Sequence, residues 1–434
     1  MLMEEFNRHN EFKNVWANIT KGSEAICIAK LFLIVKRMNF KIFQNYKNRK
    51  RLIFIFLSIA MLPGILFLFF QKTPKTDFSS WYASKANKAH GLKKDYIFYD
   101  TIILSDTMRI NKIMRSMEGP FSIANFTFGK GIINYFSPQL IWLTGYQLDV
   151  IDANTNKTIS DDFMCHNNMN IVDKNTVPWK LETQGSNTRL FTITEGQTQL
   201  QLPKGYGIPV LSNQKLEIVS QVLNHNIADT NFLVRQRIKI TYIKEIESGL
   251  SMKPVYQQSA FVTKFVSGPE GNFGESIKIP SKINSNSKAC TTENMLSCGV
   301  EKPEPGIFDP FHDQYGREFT GHWKFNPGVE VLVTNVSKMI NITRIKKAYY
   351  VSVHVHPFCE TLSLYDATTK DTLIKAHTKS FRHKIGLENI EQFTFEKGLT
   401  FYPSHKYLMV SYYNNPTQDI HTAMATMFLY MDEN

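Results

Sequence analysis

Two histidines in one short stretch have a spacing that suits metal binding. The segment "VSVHVH" (351–356) alternates apolar and polar residues, as a strand with one buried face does. Side chains alternate faces along a strand, so His354 and His356 share one face and the valines the other. Two imidazoles at i and i+2 are close enough to share one metal ion. The alternative is a solvated or hydrogen-bonded polar face of a strand.

The strands that must position these histidines can be recognised from about residue 90 onwards. Short runs rich in β-branched and aromatic residues, such as "LEIVSQVLNHN", "FLVRQRIKITYI" and "AMATMFLYM", are separated by Asn, Asp, Gly and Pro. No long stretch has a helical period. The pattern predicts an all-β fold built from sandwiches of short strands.

A composition change divides this part of the chain. Gly, Pro, Ser and Asn accumulate between about 265 and 320, with few large apolar residues. We predict a first β-sandwich at 90–265, a linker at 266–314 and a second β-sandwich at 315–434. Within the linker, Cys290 and Cys298 enclose a short polar loop, which is either closed by a local disulfide or left open.

The net charge of +12 is concentrated at the N-terminus. Residues 1–75 contain 13 Lys and Arg against four acids, which leaves only +3 of the net charge for the remaining 359 residues. A groove for phosphate would need that charge on the folded domains. Nucleic acid is therefore not an expected partner.

The basic residues flank a predicted membrane anchor. Residues 52–70, "LIFIFLSIAMLPGILFLFF", form 19 residues without a charge, about enough for a helix to cross a bilayer. The preceding "KNRKR" (47–51) predicts a cytoplasmic segment at 1–51, and domains in the periplasm, secretory lumen or extracellular space. The absence of a small-x-small site near the end of the run favours an uncleaved, single-pass anchor.

Three further residues accompany the two histidines. His166 lies in "DDFMCHNNMNI", His225 follows "EIVSQVLN", and Met424 lies in "TAMATMFLYM". With "HVHPFCETLSLYDATTKDTLI" and "LQLPKGYGIPVLSNQKLEIVSQVLNHN", these stretches resemble, in order and interval, the copper type II ascorbate-dependent monooxygenases. That family includes peptidylglycine alpha-hydroxylating monooxygenase and dopamine beta-monooxygenase. The resemblance covers most of residues 130–434.

The resemblance implies a specific function. It implies two tandem jelly-roll-like sandwiches and two coppers per chain, with O2 activated at a site of His354, His356 and Met424. Electrons from ascorbate or another reductant would pass through a second copper at His166 and His225. Soft sulfur favours Cu(I), and imidazole accepts both oxidation states. The implied activity is hydroxylation of a C–H bond in a small molecule by a membrane-anchored oxidoreductase.

The chain departs from the family at the electron-transfer site. The family has adjacent histidines there, whereas this chain has Cys165 before His166. Cys165 is a third, soft ligand, a disulfide partner of Cys359, or a buried thiol.

A second departure concerns the substrate. Ser352, Thr426 and Phe428 occupy the positions of the Arg, Asn and Tyr that hold a peptide carboxylate in the amidating enzyme. Peptide amidation is therefore not expected, and a neutral or hydrophobic substrate is favoured.

Two other interpretations remain open: a non-catalytic copper-binding protein, and a metal-free β-sandwich interaction module. The motif "GHWKFNPGVEV" (321–331) favours an aromatic-rich edge strand over a ligand role for His322. Walker, Rossmann, His-Glu-x-x-His and Gly-x-Ser-x-Gly motifs are absent from the sequence, so hydrolase and nucleotide-binding functions have no support.

Overall fold

The structure, a computed structural model, describes residues 97–114, 118–129, 137–172, 188–228, 231–245, 251–269, 271–274 and 308–432. The predicted N-terminal segment (1–51), membrane span (52–70) and Cys290–Cys298 loop lie outside these ranges. Within them, no helix has the length and apolar character that crossing a membrane requires. All of the described residues belong to one compact unit.

The fold is all-β, as predicted. The strands before residue 270 are β1 (Tyr99–Leu104), β2 (Met108–Ile110), β3 (Phe121–Phe126), β4 (Leu140–Asp152), β5 (Met164–Ile171), β6 (Arg189–Thr194), β7 (Gln199–Gln201), β8 (Tyr206–Leu211), β9 (Leu216–Val222), β10 (Phe232–Lys244), β11 (Lys253–Pro254), β12 (Tyr256–Phe261) and β13 (Lys264–Ser267). A 3-10 turn (Asp161–Phe163) precedes β5.

The later strands are β14 (Glu318–Thr320), β15 (Trp323–Phe325), β16 (Gly328–Asn335), β17 (Lys346–Val355), β18 (Cys359–Asp366), β19 (Asp371–Ser380), β20 (Leu387–Ile390), β21 (Phe393–Phe401), β22 (Tyr407–Asn415), β23 (His421–Ala423) and β24 (Ala425–Met431). One short helix, α1 (Ser337–Ile340), lies between β16 and β17.

Two sheets form an N-terminal sheet pair with sandwich packing. The first has seven strands, with β1-β10-β4-β8-β11 in order, β2 beside β10 and β7 beside β4; the second has the order β3-β9-β5-β6. Buried residues of both sheets, such as Leu148 on β4 and Ile218 on β9, share one hydrophobic cluster. The alternating apolar residues of these strands bury that face.

Two further sheets form a C-terminal sheet pair. One has the order β12-β24-β17-β21 and the other the order β16-β22-β18-β19-β20. Their shared core includes Val353 of β17, Leu429 of β24 and Leu364 of β18. Strand β12 precedes residue 265 in sequence but pairs with β24. The domain boundary at about 265 stays a prediction.

The sheet β12-β24-β17-β21 is covered on both faces. Val351, Val353 and Val355 of β17 lie in the core of the C-terminal pair. On the opposite face, Phe428 and Tyr430 of β24 belong to the hydrophobic cluster of the N-terminal pair. Polar residues on this second face are therefore buried between the two sheet pairs.

Candidate metal centre

The predicted alternation along β17 is present in the structure. His354 and His356 are only 6% and 4% exposed, and their ring centroids lie 5.4 Å apart. The N–H of His356 donates to the carbonyl of Met424, 3.2 Å away, and Nδ1 of His356 lies 3.2 Å from the carbonyl oxygen of Thr422. The polar face of this strand is thus not solvated, because the N-terminal sheet pair covers it.

Met424 lies at the junction between β23 and β24, beside this pair. Its neighbours Ala423 and Ala425 both belong to the core of the C-terminal pair, which places Met424 on the opposite face of the sheet. Unlike the other buried methionines of the described ranges, Met424 belongs to none of the three hydrophobic clusters. Met424 is 2% exposed and its main-chain carbonyl accepts the N–H of His356, so the residue lies next to the histidine pair.

His166 is brought to the same place by an irregularity in β5. The pairing of β5 with β9 shifts between Met164 and His166, which makes Cys165 the extra residue of a bulge. Bulges reorient the neighbouring side chains and occur often beside functional sites. The ring of His166 is buried, and its centroid lies 6.1 Å from that of His354.

His225, the other residue predicted for the electron-transfer site, is also near the pair. Strand β9 ends at Val222, and His225 lies three residues beyond it, half-buried. It is close enough to His356 to act on the pKa of that imidazole. The structure therefore places residues of the two predicted sites side by side.

The sequence favours an edge strand over a ligand role for His322, but the structure places His322 beside the pair. Its ring centroid lies 5.2 Å from that of His356, and the residue is 6% exposed. His322 occupies the two-residue connection between β14 and β15. The Gly-His dipeptide before an aromatic strand was the available signal, but nothing local in the sequence shows that this connection faces β17.

The separations between the rings suit metal binding. A ring bonded to a metal through a nitrogen at about 2 Å has its centroid about 3 Å from the ion, so two rings on one ion have centroids within about 6 Å. The measured separations of 5.2, 5.4 and 6.1 Å fall near or within that limit. Within the described ranges, however, no group of three or more His, Cys, Asp or Glu side chains has atoms already placed to hold an ion. Binding would require side-chain rotation.

Burial keeps these imidazoles neutral. Burial lowers the pKa of His354 to about 3, with smaller effects from His166 and His322. Burial also lowers the pKa of His322 to about 4, and holds that of His356 well below the ordinary value. A neutral imidazole has a lone pair for a metal ion, so these rings have the right protonation state for coordination.

The buried polar atoms of this region that lack a hydrogen-bond partner among the described residues include Nδ1 of His354 and Oγ1 of Thr426. His354 and Thr426 are direct partners across β17 and β24, so their side chains are neighbours on the same face. Buried polar atoms are normally satisfied, and exceptions of this kind call for a ligand or ordered water.

The cysteines of the described ranges are thiols. Cys165 and Cys359 are both buried and neither forms a disulfide, so the predicted alternative of a Cys165–Cys359 bridge is wrong. The Sγ of Cys165 lies 3.3 Å from Nδ1 of His166. Burial raises the pKa of the Cys359 thiol. The Cys165 thiol thus contacts the ring of His166.

The predicted substrate positions lie on the same face of the sheet as the histidines. Ser352 pairs across the strands with Phe428, and His354 pairs with Thr426. Ser352, Thr426 and Phe428 are all buried. No charged side chain is contributed by these three positions.

Comparisons with known proteins give no family. No family model and no curated protein matches the chain. Among solved structures, it is similar to a peptide-N(4)-(N-acetyl-β-D-glucosaminyl)asparagine amidase, with 8% identity and a TM-score of 0.30, over 77% of this chain and 97% of the other. The glycosylasparaginase PNGase F from Flavobacterium meningosepticum gives 9% identity and a TM-score of 0.28, over 77% and 97%. The major capsid protein P2 of bacteriophage PM2 gives 8% and 0.27, also over 77% and 97%. At these TM-scores the similarities carry no functional argument.

Proposed function

We propose that the chain is a copper-dependent, monooxygenase-like oxidoreductase. The observation that supports this proposal is that the neutral, buried imidazoles of His354 and His356 share the covered face of one sheet, with the buried Met424 joined to His356 by a main-chain hydrogen bond. This donor set suits copper, because the thioether favours Cu(I) and imidazole binds both oxidation states. Bound copper would supply electron transfer and O2 reduction.

The protein residues have distinct roles in this proposal. His354 and His356 would hold copper through ring nitrogens. The carbonyl of Thr422 beside Nδ1 of His356 fixes that ring, as the second nitrogen of a ligating histidine is commonly fixed. His166 and His225 would hold a second copper, which would supply electron transfer from ascorbate or another reductant. Hydroxylation of one C–H bond consumes O2, two electrons and two protons, and yields the alcohol and water.

The proposal also includes the wider architecture. It comprises two tandem, jelly-roll-like sandwiches behind a single membrane helix at 52–70. The domains would lie on the side of the membrane away from the cytoplasm, and a small, neutral molecule would be the substrate. The uncharged positions Ser352, Thr426 and Phe428 support a neutral substrate over a peptide carboxylate.

The test measures copper and oxygen together on the full-length chain in detergent. The chain is loaded with Cu(II) and supplied with ascorbate, O2 and small neutral aromatic compounds that carry a benzylic C–H bond. We expect bound copper and O2 consumption that depends on both reductant and compound, with the hydroxylated product found by mass spectrometry. His354→Gln should abolish turnover, and the exposed control His383→Gln should not. Turnover that survives in His354→Gln would contradict the proposal.

A second candidate, a non-catalytic copper-binding protein, is favoured by one observation. His354, His356 and Met424 are at most 6% exposed, and closed sites are typical of structural metal binding. Stable copper without turnover under any of these conditions would select this function.

A further inference from the structure

The two histidines of β17 are the middle of a longer row of imidazoles. His166 lies 6.1 Å from His354, His354 lies 5.4 Å from His356, and His356 lies 5.2 Å from His322, measured between ring centroids. Each step is near or within the limit of about 6 Å for two rings that share an ion. All four residues are buried. The row is thus continuous, with no separation into two sites.

Hydrogen bonds join the two sheet pairs beside the step from His166 to His354. His166 lies opposite Thr194 on β6, and the turn that follows β6 touches the C-terminal pair. In this turn, Oε1 of Gln197 accepts the N–H of Val353 at 3.2 Å, and Oε1 of Glu195 accepts the N–H of Leu387 at 3.0 Å. The distance between His166 and β17 is therefore set by hydrogen bonds next to the histidines.

The position of His322 is equally constrained. The hydroxyl of Thr320 donates to the carbonyl of His322 at 2.8 Å and lies 3.2 Å from its N–H. A Cβ at Gly321 would lie 3.1 Å from the ring of Phe261, so the chain packs closely where it turns toward His322. The following strand, β15, pairs with β23, which leads directly into Met424. Backbone contacts on both sides thus fix His322 beside the site.

We propose that His166 and His322 are metal-binding residues of the same centre as His354 and His356, so that the chain holds one joined copper centre built from both sheet pairs. The unsatisfied Nδ1 of His354, in the middle of the row, supports a ligand at this point. The inference rests on the proposed copper binding but not on hydroxylation, and it replaces the two separate sites that the family resemblance implies.

The test is a Cu(I) titration of the full-length chain against the competing chelator bicinchoninate. We compare the native chain with His166→Leu, His322→Leu, His354→Leu and the double variant His166→Leu/His354→Leu. In a joined centre, each single change should weaken copper binding at least tenfold, about the effect of losing a ligand or its support. The double variant should lose less than the product of the single losses, because neighbouring sites couple.

A control variant, a replacement variant and a second measurement accompany the titration. His383→Gln, at an exposed position, should bind copper as the native chain does. Should a leucine variant fail to fold, as judged by circular dichroism, the corresponding glutamine variant replaces it. In addition, the nitrogen hyperfine pattern of bound Cu(II) in electron paramagnetic resonance should lose one nitrogen in the His322 variant.

The outcomes separate this inference from the proposed function. If His166→Leu loses one copper while another binds with native affinity, or if His322→Leu or its glutamine replacement changes neither affinity nor the hyperfine pattern, the joined centre is wrong and the copper protein stands. A native chain that binds no copper overturns both. Joined binding without O2 consumption supports the inference and leaves only the hydroxylation proposal contradicted.

Discussion

Two groups of buried polar side chains after residue 308 are stabilised in different ways. Arg317 and Asp313 are 0% and 2% exposed at their side chains, and Nη2 of Arg317 lies 2.5 Å from Oδ2 of Asp313. Asp313 also accepts the N–H groups of Gly274 and Tyr315 at 3.2 and 3.0 Å. The carboxylate thus has charge compensation and several donors at once.

His354 on β17 lacks this completeness. His354 is neutral, and its Nδ1 has no hydrogen-bond partner in the described ranges. A buried polar atom without a partner costs about 1–3 kcal/mol of stability. The Asp313 carboxylate is thus fully paired, whereas Nδ1 of His354, at the proposed ligand site, is not.

Removing the cation from the Arg317–Asp313 pair should have the largest effect on stability. Arg317→Met leaves the Asp313 carboxylate buried without its cation, and should lower the free energy of unfolding by about 3–5 kcal/mol. Urea denaturation followed by circular dichroism measures this. The exposed Arg382→Met is the matched control and should change stability by less than about 0.5 kcal/mol. Equal effects of the two changes would show that the Arg317–Asp313 pair contributes little.

Copper binding at His354 should have the next largest effect on stability. Copper that binds only the folded chain, at a free concentration one hundred times its dissociation constant, should raise the free energy of unfolding by about 2.7 kcal/mol. A chelator should reverse the gain, and His354→Leu should show none. Thermal denaturation with and without copper measures both. An equal gain in His354→Leu would place the bound copper elsewhere.

The two faces of β17 give a finer contrast in the metal-free chain. Val353→Ala removes two buried methyl groups and should lower the free energy of unfolding by about 2 kcal/mol. His354→Leu replaces an unsatisfied imidazole with an apolar side chain, and should leave stability unchanged or raise it by about 1 kcal/mol. Urea denaturation of both variants without copper checks this. A loss in His354→Leu as large as that in Val353→Ala would mean that the histidine serves packing.

The smallest expected effect is a change in acid sensitivity at Asp313. Burial by itself raises the pKa of this carboxyl. Hydrogen bonds from Arg317, Tyr315 and Gly274 together outweigh burial, so the pKa lies below the ordinary 3.8. A group with a lowered folded pKa stabilises the fold above its unfolded pKa and loses this contribution as pH falls through the folded pKa. Native stability should therefore fall more steeply below pH 3.8 than that of Asp313→Asn. Parallel denaturation curves from pH 5 to 2 would contradict this.

The sequence predicted the all-β class because alternation is a local signal. "VSVHVH" correctly placed Val353 and His354 on opposite faces of β17. The same pattern did not show that the histidine face is buried, because the second sheet pair that covers it is distant in sequence. A strand whose polar face is buried for a functional reason therefore has the same sequence pattern as a strand whose polar face is exposed to solvent.

The arrangement of the site was the least predictable part. His166 approaches His354 through a bulge and through contacts between the sheet pairs, and neither leaves a local sequence pattern. His322 approaches His356 because β15 pairs with β23, which is distant in the chain. Met424 was identified through the family resemblance, and its position outside the hydrophobic clusters is consistent with that assignment.

The turn between β6 and β7 has a consequence for the order of folding. Strand β21 pairs with β17 only as far as Val351. Beyond this point, the side chain of Gln197 accepts the N–H of Val353 at the edge of β17, and the carbonyl of Gly196 accepts the N–H of Ile390 at 2.9 Å. This edge can be closed only after both sheet pairs have formed and docked. Until then the strand that carries His354 and His356 has unpaired backbone groups and can recruit another strand. Rapid docking of the two halves would thus protect newly made chains from aggregation, and metal uptake would report that docking is complete.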